Sequence, residues 1–265
     1  MPDNNLFDIK KRVVAANQTR KITRTMEMIA SSRMQRGKIQ LAHHYVWLQH
    51  MQKAAGCLSG RYFEPLTQAG GSTPKAYIVF GGSKGLSGTY SPSVFQYAVP
   101  IVAGHMVLSV GNAAEAFFTD AHIYMGNETP SADCSKSIAE AALALYEGKL
   151  ATSIHMIYTK GSRLQTQQLL PLVRPDEKWP AAIIAEPSAQ VLYPSLYLEY
   201  ICALVHEAHL QAFLAEQVAR VSAMDSATQN ADEIIESLQA TYNRIRQSSI
   251  THEIITVSNA ARGDR

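Results

Sequence analysis

Two stretches of this 265-residue chain carry residue types whose spacing could do chemistry. The first is Gly81-Gly82-Ser83-Lys84-Gly85-Leu86-Ser87-Gly88, directly after the apolar run Ala76–Phe80. Glycine-rich loops in that place cradle phosphates with backbone N–H groups. The glycines fall at 81, 82, 85 and 88, so G-x-G-x-x-G is absent, and Lys84 precedes Gly85 where G-x-x-x-x-G-K-[ST] needs a Lys after its last Gly. A tight strand-to-helix turn that needs positive φ is the expected role. The second stretch is His206-Glu207-Ala208-His209. Zinc-binding H-E-x-x-H sets its histidines four apart and these are three apart, so two solvated histidines on an acidic helix are expected. Cys57, Cys134 and Cys202 are far apart, with no C-x-x-C, and are expected to be small buried residues of a chain kept in a reducing compartment. No catalytic residue, cofactor or metal site is expected.

The elements around these stretches are of two kinds. Ser195–Arg262 holds no Gly or Pro and would make a helix roughly 100 Å long at about 1.5 Å per residue. Val221, Met224, Thr228, Ala231, Ile235, Leu238, Tyr242, Ile245 and Ser249 alternate steps of three and four, the 3.5-residue period of a coiled-coil strand. Near the other end, Leu6 to Ala55 is broken only by Gly37 and carries a thin seam with one irregular step: Ile9, Val13, Ala16, Thr19, Ile22, Met26 and Ile29. The stretch from Gly56 to Pro74 reads as the end of that helix and a linker. Strands are expected at Ala76–Phe80, His105–Val110, His122–Met125, Ala151–Tyr158 and Thr166–Val173, with the last two as a hairpin. Helices at 93–99, 112–118 and 131–148 alternate with them, which indicates a small α/β domain. The resulting division is residues 1–58, 59–194 and 195–265. The two end helices are expected to be antiparallel partners, with the α/β domain inserted between them.

Net charge is +2, but it is unevenly spread. Lys10–Lys38 holds nine Lys or Arg and one acid, Glu27, while Glu199–Glu236 holds seven acids and one Arg, Arg220. The basic stretch would lie beside the last third of the long helix. A basic helix can meet an acidic partner, a membrane surface or nucleic acid, but its few aromatics disfavour base stacking. Met1–Asn5 is polar and precedes no apolar signal region, so no export or import leader is expected.

Both ends resemble the γ subunit family of F-type rotary ATP synthases. Lys21-Ile22-Thr23-Arg24-Thr25-Met26-Glu27-Met28-Ile29-Ala30-Ser31-Ser32-Arg33-Met34 is similar to the family's K-I-T-x-A-M-x-M-V-A-x-S-[KR]-[ML]. Ala223-Met224-Asp225-Ser226-Ala227-Thr228-Gln229-Asn230-Ala231 resembles A-M-x-A-A-T-x-N-A. Tyr242–Ile254 resembles Y-N-x-x-R-Q-A-x-I-T-x-E-[LI]. Gly85-Leu86-Ser87-Gly88 is a looser match to R-G-L-C-G-G, and Glu186-Pro187 to an E-P before the long helix.

The resemblance implies a long antiparallel coiled coil with an inserted Rossmann-like α/β domain, and a mechanical function without a catalytic site. The paired helices would be the shaft within a ring of three α and three β subunits. The α/β domain would be a foot on the membrane c-ring beside the ε subunit. Rotation would couple H+ or Na+ flow to ATP synthesis or hydrolysis. Met26, Arg24, Arg33, Arg246, Gln247, Thr251 and Glu253 fall where the family's shaft meets the catalytic ring or holds its own coil together, and Arg12 belongs to the same basic face. Tyr197 and Glu199 fall near the contact with the c-ring. No nucleic acid is implied, and the membrane is met only through the complex, at the cytoplasmic face of a bacterial inner membrane. The divergent middle implies an alternative-type bacterial enzyme.

Overall fold

The computed structural model describes residues 3–62, 74–118, 123–125, 130–172, 186 and 188–263. It contains α1 (Asp3–Tyr62), β1 (Ala76–Phe80), α2 (Tyr90–Val102), β2 (Met106–Val110), α3 (Asn112–Phe117), β3 (Ile123–Met125), α4 (Ala132–Glu147), β4 (Ile154–Lys160), β5 (Arg163–Leu170) and α5 (Ala189–Gly263). They belong to two compact units: Met1–Ala30 with Val221–Arg265, and Ser31–Arg220.

The first unit is a helix pair. All nine expected seam positions of α5, from Val221 to Ser249, are buried or half-buried, and most residues between them are exposed. The seam of α1 departs from expectation after Ala16. Thr19, Ile22 and Ile29 face solvent, whereas Arg20, Thr23, Glu27 and Ala30 are buried or half-buried. The true series, Ile9, Val13, Ala16, Arg20, Thr23, Glu27, Ala30, alternates four and three without a break. Reading for apolar residues selected Ile22 because it sits beside the Thr that the partner helix needs. Thr23 Oγ1 lies 2.7 Å from Thr228 Oγ1 in the buried seam. Arg20 pairs with Asp232 at 2.9 Å on its margin. Opposed residue numbers therefore sum to about 251 (23 with 228, 20 with 232). Lys10–Arg24 thus lies opposite roughly 227–241, the middle of the long helix and not its last third.

The second unit is built on a five-stranded sheet of order β3-β2-β1-β4-β5. β1 is parallel to β2 and β4, β2 is parallel to β3, and β4–β5 is the expected antiparallel hairpin. β1 is buried along its whole length because both faces are covered. Ala76, Ile78 and Phe80 join the core with α4, the Leu48–Ala55 part of α1 and the Tyr197–Ala212 part of α5. Tyr77 and Val79 join a second core with α2 and α3. A parallel strand wrapped on both sides reads as a continuous apolar run, which is why Ala76–Phe80 was legible.

Other boundaries moved. α1 continues through Gly56 and Gly60 to Tyr62, so the helix does not end at Gly56. α5 begins at Ala189, ahead of the expected Ser195, and takes Pro194 into an early turn. A Pro there removes one ladder bond. β5 starts at Arg163, before the expected Thr166. The expected irregular return, 174–194, lies largely outside the described residues. Gly37 is tolerated inside α1 because a Cβ there would come within 2.8 Å of Leu214 Cδ2 of α5. Gly81 is more constrained, since its Cβ would stand 2.6 Å from the Cβ of Ala114 in α3. Gly81→Ala should therefore cost about 1–3 kcal/mol of unfolding free energy by overpacking. Urea denaturation of the full chain reads this, and an unchanged midpoint would show that α3 moves aside freely.

Candidate functional site

The glycine-rich loop occupies the position that the topology reserves for ligands. The strand order reverses at β1, and in such sheets ligands bind beyond the carboxyl ends of the strands at that point. Here the loop already holds an anion belonging to the chain. Glu216, 2% exposed, projects from α5 into it. Its Oε2 accepts the Ser83 N–H at 3.2 Å and the Ser83 hydroxyl at 3.3 Å, and its Oε1 accepts the Lys84 N–H at 3.3 Å. Arg220, one turn along α5 and 8% exposed, donates to Glu216 Oε1. Arg220 also donates to the carbonyls of Lys84 at 3.1 Å and Gly85 at 3.4 Å. Tyr90, at the start of α2, donates its hydroxyl to the carbonyl of Ala212 at 3.0 Å. Its burial raises its pKa, so it stays a donor. The carboxylate thus does for this loop what a phosphate does for a nucleotide loop.

Positive φ falls on Leu86 (65°) and Gly88 (58°) and not on the three earlier glycines of the loop. What Gly81 and Gly82 supply is space, since a Cβ on Gly82 would meet the Ser91 hydroxyl at 2.4 Å. Gly81-Gly82-Ser83-Lys84-Gly85 also spells G-x-S-x-G, the turn that carries the nucleophile of α/β hydrolases. A nucleophile needs its hydroxyl on a base. The Ser83 hydroxyl does bond a carboxylate, but that carboxylate is already engaged by the Arg220 guanidinium and by the Ser83 and Lys84 N–H groups, so it is not a free base.

The histidines are not the solvated pair expected. The face of α5 that carries them packs on the sheet and α4. His206 Nδ1 lies 2.8 Å from the Ser135 hydroxyl, with its ring edge-on to His44 at 4.7 Å. Burial and then the nearby His44 lower its pKa to about 4. His209 is 6% exposed beneath Phe80, and burial and then His206 also lower its pKa to about 4. No group of three His, Cys, Asp or Glu able to hold a metal ion occurs among the described residues. Cys134 is buried and Cys202 half-buried, with the Cys202 thiol pushed up to about 11, first by burial and then by Glu199; the side chain of Cys57 lies outside the described residues.

In the helix-pair unit, Met26 is half-buried at the seam margin, and Arg24, Arg246, Gln247, Thr251 and Glu253 face outward. In the other unit Arg33 is half-buried and Glu199 exposed, whereas Tyr197 lies within the core, stacked on Tyr193 at 5.7 Å. Glu216 and Arg220 carried no sequence signal, because the loop they hold is more than a hundred residues away, as in Glu216 with Ser83.

The described fold is a long helix pair and an α/β unit whose ligand position is filled by a carboxylate of the same chain. The family model described as ATP synthase matches residues 5–262. The ATP synthase gamma chain of Caldanaerobacter subterraneus subsp. tengcongensis is 30% identical over 96% of this chain and 98% of its own length. That of Ruminiclostridium cellulolyticum is 28% identical over 97% and 98%. Among solved structures, the rotor of the Euglena gracilis mitochondrial ATP synthase matches with a TM-score of 0.68 at 16% identity, over 94% of this chain and 99% of that one. A second structure of that enzyme, comprising OSCP, F1 and c-ring, contains a chain that matches with a TM-score of 0.71 at 15% identity, over 98% and 95%. The chain belongs to the ATP synthase gamma family. It is a central-stalk subunit without catalytic residues of its own.

Removing one member of the buried ion pair leaves the other charge uncompensated. Glu216→Ala should cost about 3–5 kcal/mol, while the double change Glu216→Met with Arg220→Met should cost much less. Chemical denaturation of the three variants checks this, and simple additivity would exclude a coupled lock. The histidines set a pH dependence of known sign. With a folded pKa near 4 against 6.5 unfolded, His209 binds fewer protons folded than unfolded between those values. Stability should therefore fall as pH drops from 6.5 toward 4 and be level above. For His209 alone the loss between pH 7 and pH 5 is on the order of 1–2 kcal/mol. Denaturant midpoints across that range, compared with His209→Phe, read it out.

Proposed function

We propose that this chain is the rotor shaft of a bacterial F-type ATP synthase, turning inside a ring of α and β subunits while its α/β unit rests on the c-ring beside ε. The observation that carries this reading is the last stretch of α5. With opposed numbers summing to about 251, Asp3, the first described residue of α1, falls opposite about residue 248. Ile250, Ile254, Ile255 and Val257 are exposed at 44%, 64%, 54% and 69%. A helix bearing branched apolar residues in water needs a sleeve supplied by other subunits. Below that tip the pair shows solvent a mixed face, with Lys10, Lys11, Arg12, Lys21 and Arg24 outward beside exposed Val14, Ile22, Met28 and Ile29. Charged contacts of this kind are weak singly and break readily, as a turning surface requires.

Within this reading Arg24, Arg33, Arg246, Gln247, Thr251 and Glu253 meet the catalytic ring, and Met26 supports the coil at its margin. Glu199 meets the c-ring, with Tyr197 holding that end of α5 from inside the core. Among the described residues no helix is long and apolar enough to cross a membrane. Attachment at the cytoplasmic face of the inner membrane would then run through the complex, and the coupling ion, H+ or Na+, is chosen by the membrane sector.

Co-expression with the α and β subunits of the same organism tests the proposal. One copy of the chain should co-purify with three of each, and ATP hydrolysis should depend on its presence. Arg246→Ala with Gln247→Ala should lower turnover of the assembled complex by about tenfold or more, the equivalent of one or two charge-assisted hydrogen bonds. Failure to assemble, or full turnover in that double variant, would remove the basis for the assignment.

A further inference from the structure

A small cavity lies between α5 and the glycine-rich loop, lined by Gly81, Ser83, Gly111, His209, Phe213 and Glu216. Its volume, about 10 Å³, is at the lower limit of what holds one water molecule. His209 lines it, is 6% exposed, and its Nδ1 has no hydrogen-bond partner among the described residues. Buried ring nitrogens are ordinarily satisfied, by protein or by ordered water. The opposite wall is polar and not fully used. Glu216 receives its three loop bonds at 3.2–3.3 Å, at the long end of the range, and among the described residues no group donates to the Ser83 hydroxyl.

We infer that this cavity is a binding site for one structural water molecule, which bridges His209 Nδ1 to the Ser83 hydroxyl and the Glu216 carboxylate. Water suits the site because it both donates and accepts, so it satisfies His209 in either neutral tautomer while donating to the carboxylate side. An apolar occupant would leave both walls unsatisfied. A metal ion would find a single carboxylate already engaged by Arg220. The site needs its glycines, since a Cβ on Gly111 would stand 3.0 Å from the carbonyl of Gly81. It joins the deep core, through His209 under Phe80, to the charge pair that holds the loop. The water thereby becomes part of the mount between the sheet and α5. This inference does not depend on the rotor reading.

Two measurements on the full chain test it. A structure at a resolution that shows ordered solvent should place one water within hydrogen-bond distance of His209 Nδ1 and of Ser83 Oγ or a Glu216 oxygen. A dry cavity, or a His209 ring turned to bond a protein group directly, would overturn the inference. Oxygen-17 relaxation dispersion should count one long-lived water fewer in His209→Phe. If that variant does not fold, Ala212→Val, which adds carbon to the cavity wall and keeps the histidine, should lose the same water. In either folded variant the Ser83 and Lys84 amides should exchange about tenfold faster, since one bridging bond to the lock is gone. An unchanged water count in the folded variants would equally refute the site.

Discussion

A helix of 75 residues has to be covered, because packing and not propensity stabilises long helices in water. The rest of the fold answers that constraint. Between Tyr197 and Ala215, α5 is buried on the sheet side with Ile201, Val205 and Leu210 essentially inaccessible. From Val221 to Ser249 cover is confined largely to a seam at every third or fourth residue, with Ala223, Ala227 and Thr241 half-buried on its margin, as one partner helix allows. From residue 250 to 259 every position is exposed. Burial along one unbroken helix therefore falls in three stages, from core to seam to bare surface, and each stage names the kind of neighbour it requires.

The seam is held in register by polar groups. Apolar knobs at 3.5-residue spacing pack nearly as well after a slip of one heptad, so they specify register weakly. Thr23 and Thr228 change that. Each hydroxyl has one proton and each can also bond its own helix, to the carbonyls of Arg20 and Met224. At 2.7 Å apart one must donate to the other, and a slipped pairing would bury both without that bond. The Arg20–Asp232 pair beside them is about half exposed, so it adds orientation more than stability.

The parts of this fold that were legible in the sequence are those whose signal is local and periodic. The α5 seam, the doubly covered strand Ala76–Phe80 and the β4–β5 hairpin all fall in that class. Three features were hidden for distinct physical reasons. Ile22 is the more apolar neighbour of Thr23, but hydrophobicity is not the only mark of burial, and a hydroxyl with a partner across the seam is buried equally well. The acids near His206 and His209 in sequence imply a wet face, yet Glu207 in the same turn is itself largely covered and pairs with Lys160 at 3.6 Å. Glu216 is one acid among seven, and nothing within a turn of it distinguishes a solvated carboxylate from one that fills a loop at the carboxyl end of β1.

That last residue separates fold from function here. The sheet order, the loop after β1 and its glycines are what a nucleotide-binding domain would use, and the anion that such a loop gathers is present. The anion is a side chain carried by α5. A buried ion pair of this kind gains little net stability over apolar residues of the same size, since desolvation offsets the Coulomb attraction. Its effect is directional. A helix can slide over an apolar sheet with small loss, but Glu216 and Arg220 bond particular backbone groups of Ser83, Lys84 and Gly85 and fit at one rotation and one height. A nucleotide held in that loop would come and go with its concentration. A carboxylate tethered to the helix keeps sheet and helix fixed to each other continuously, and an element that passes on torque needs that property from the same site.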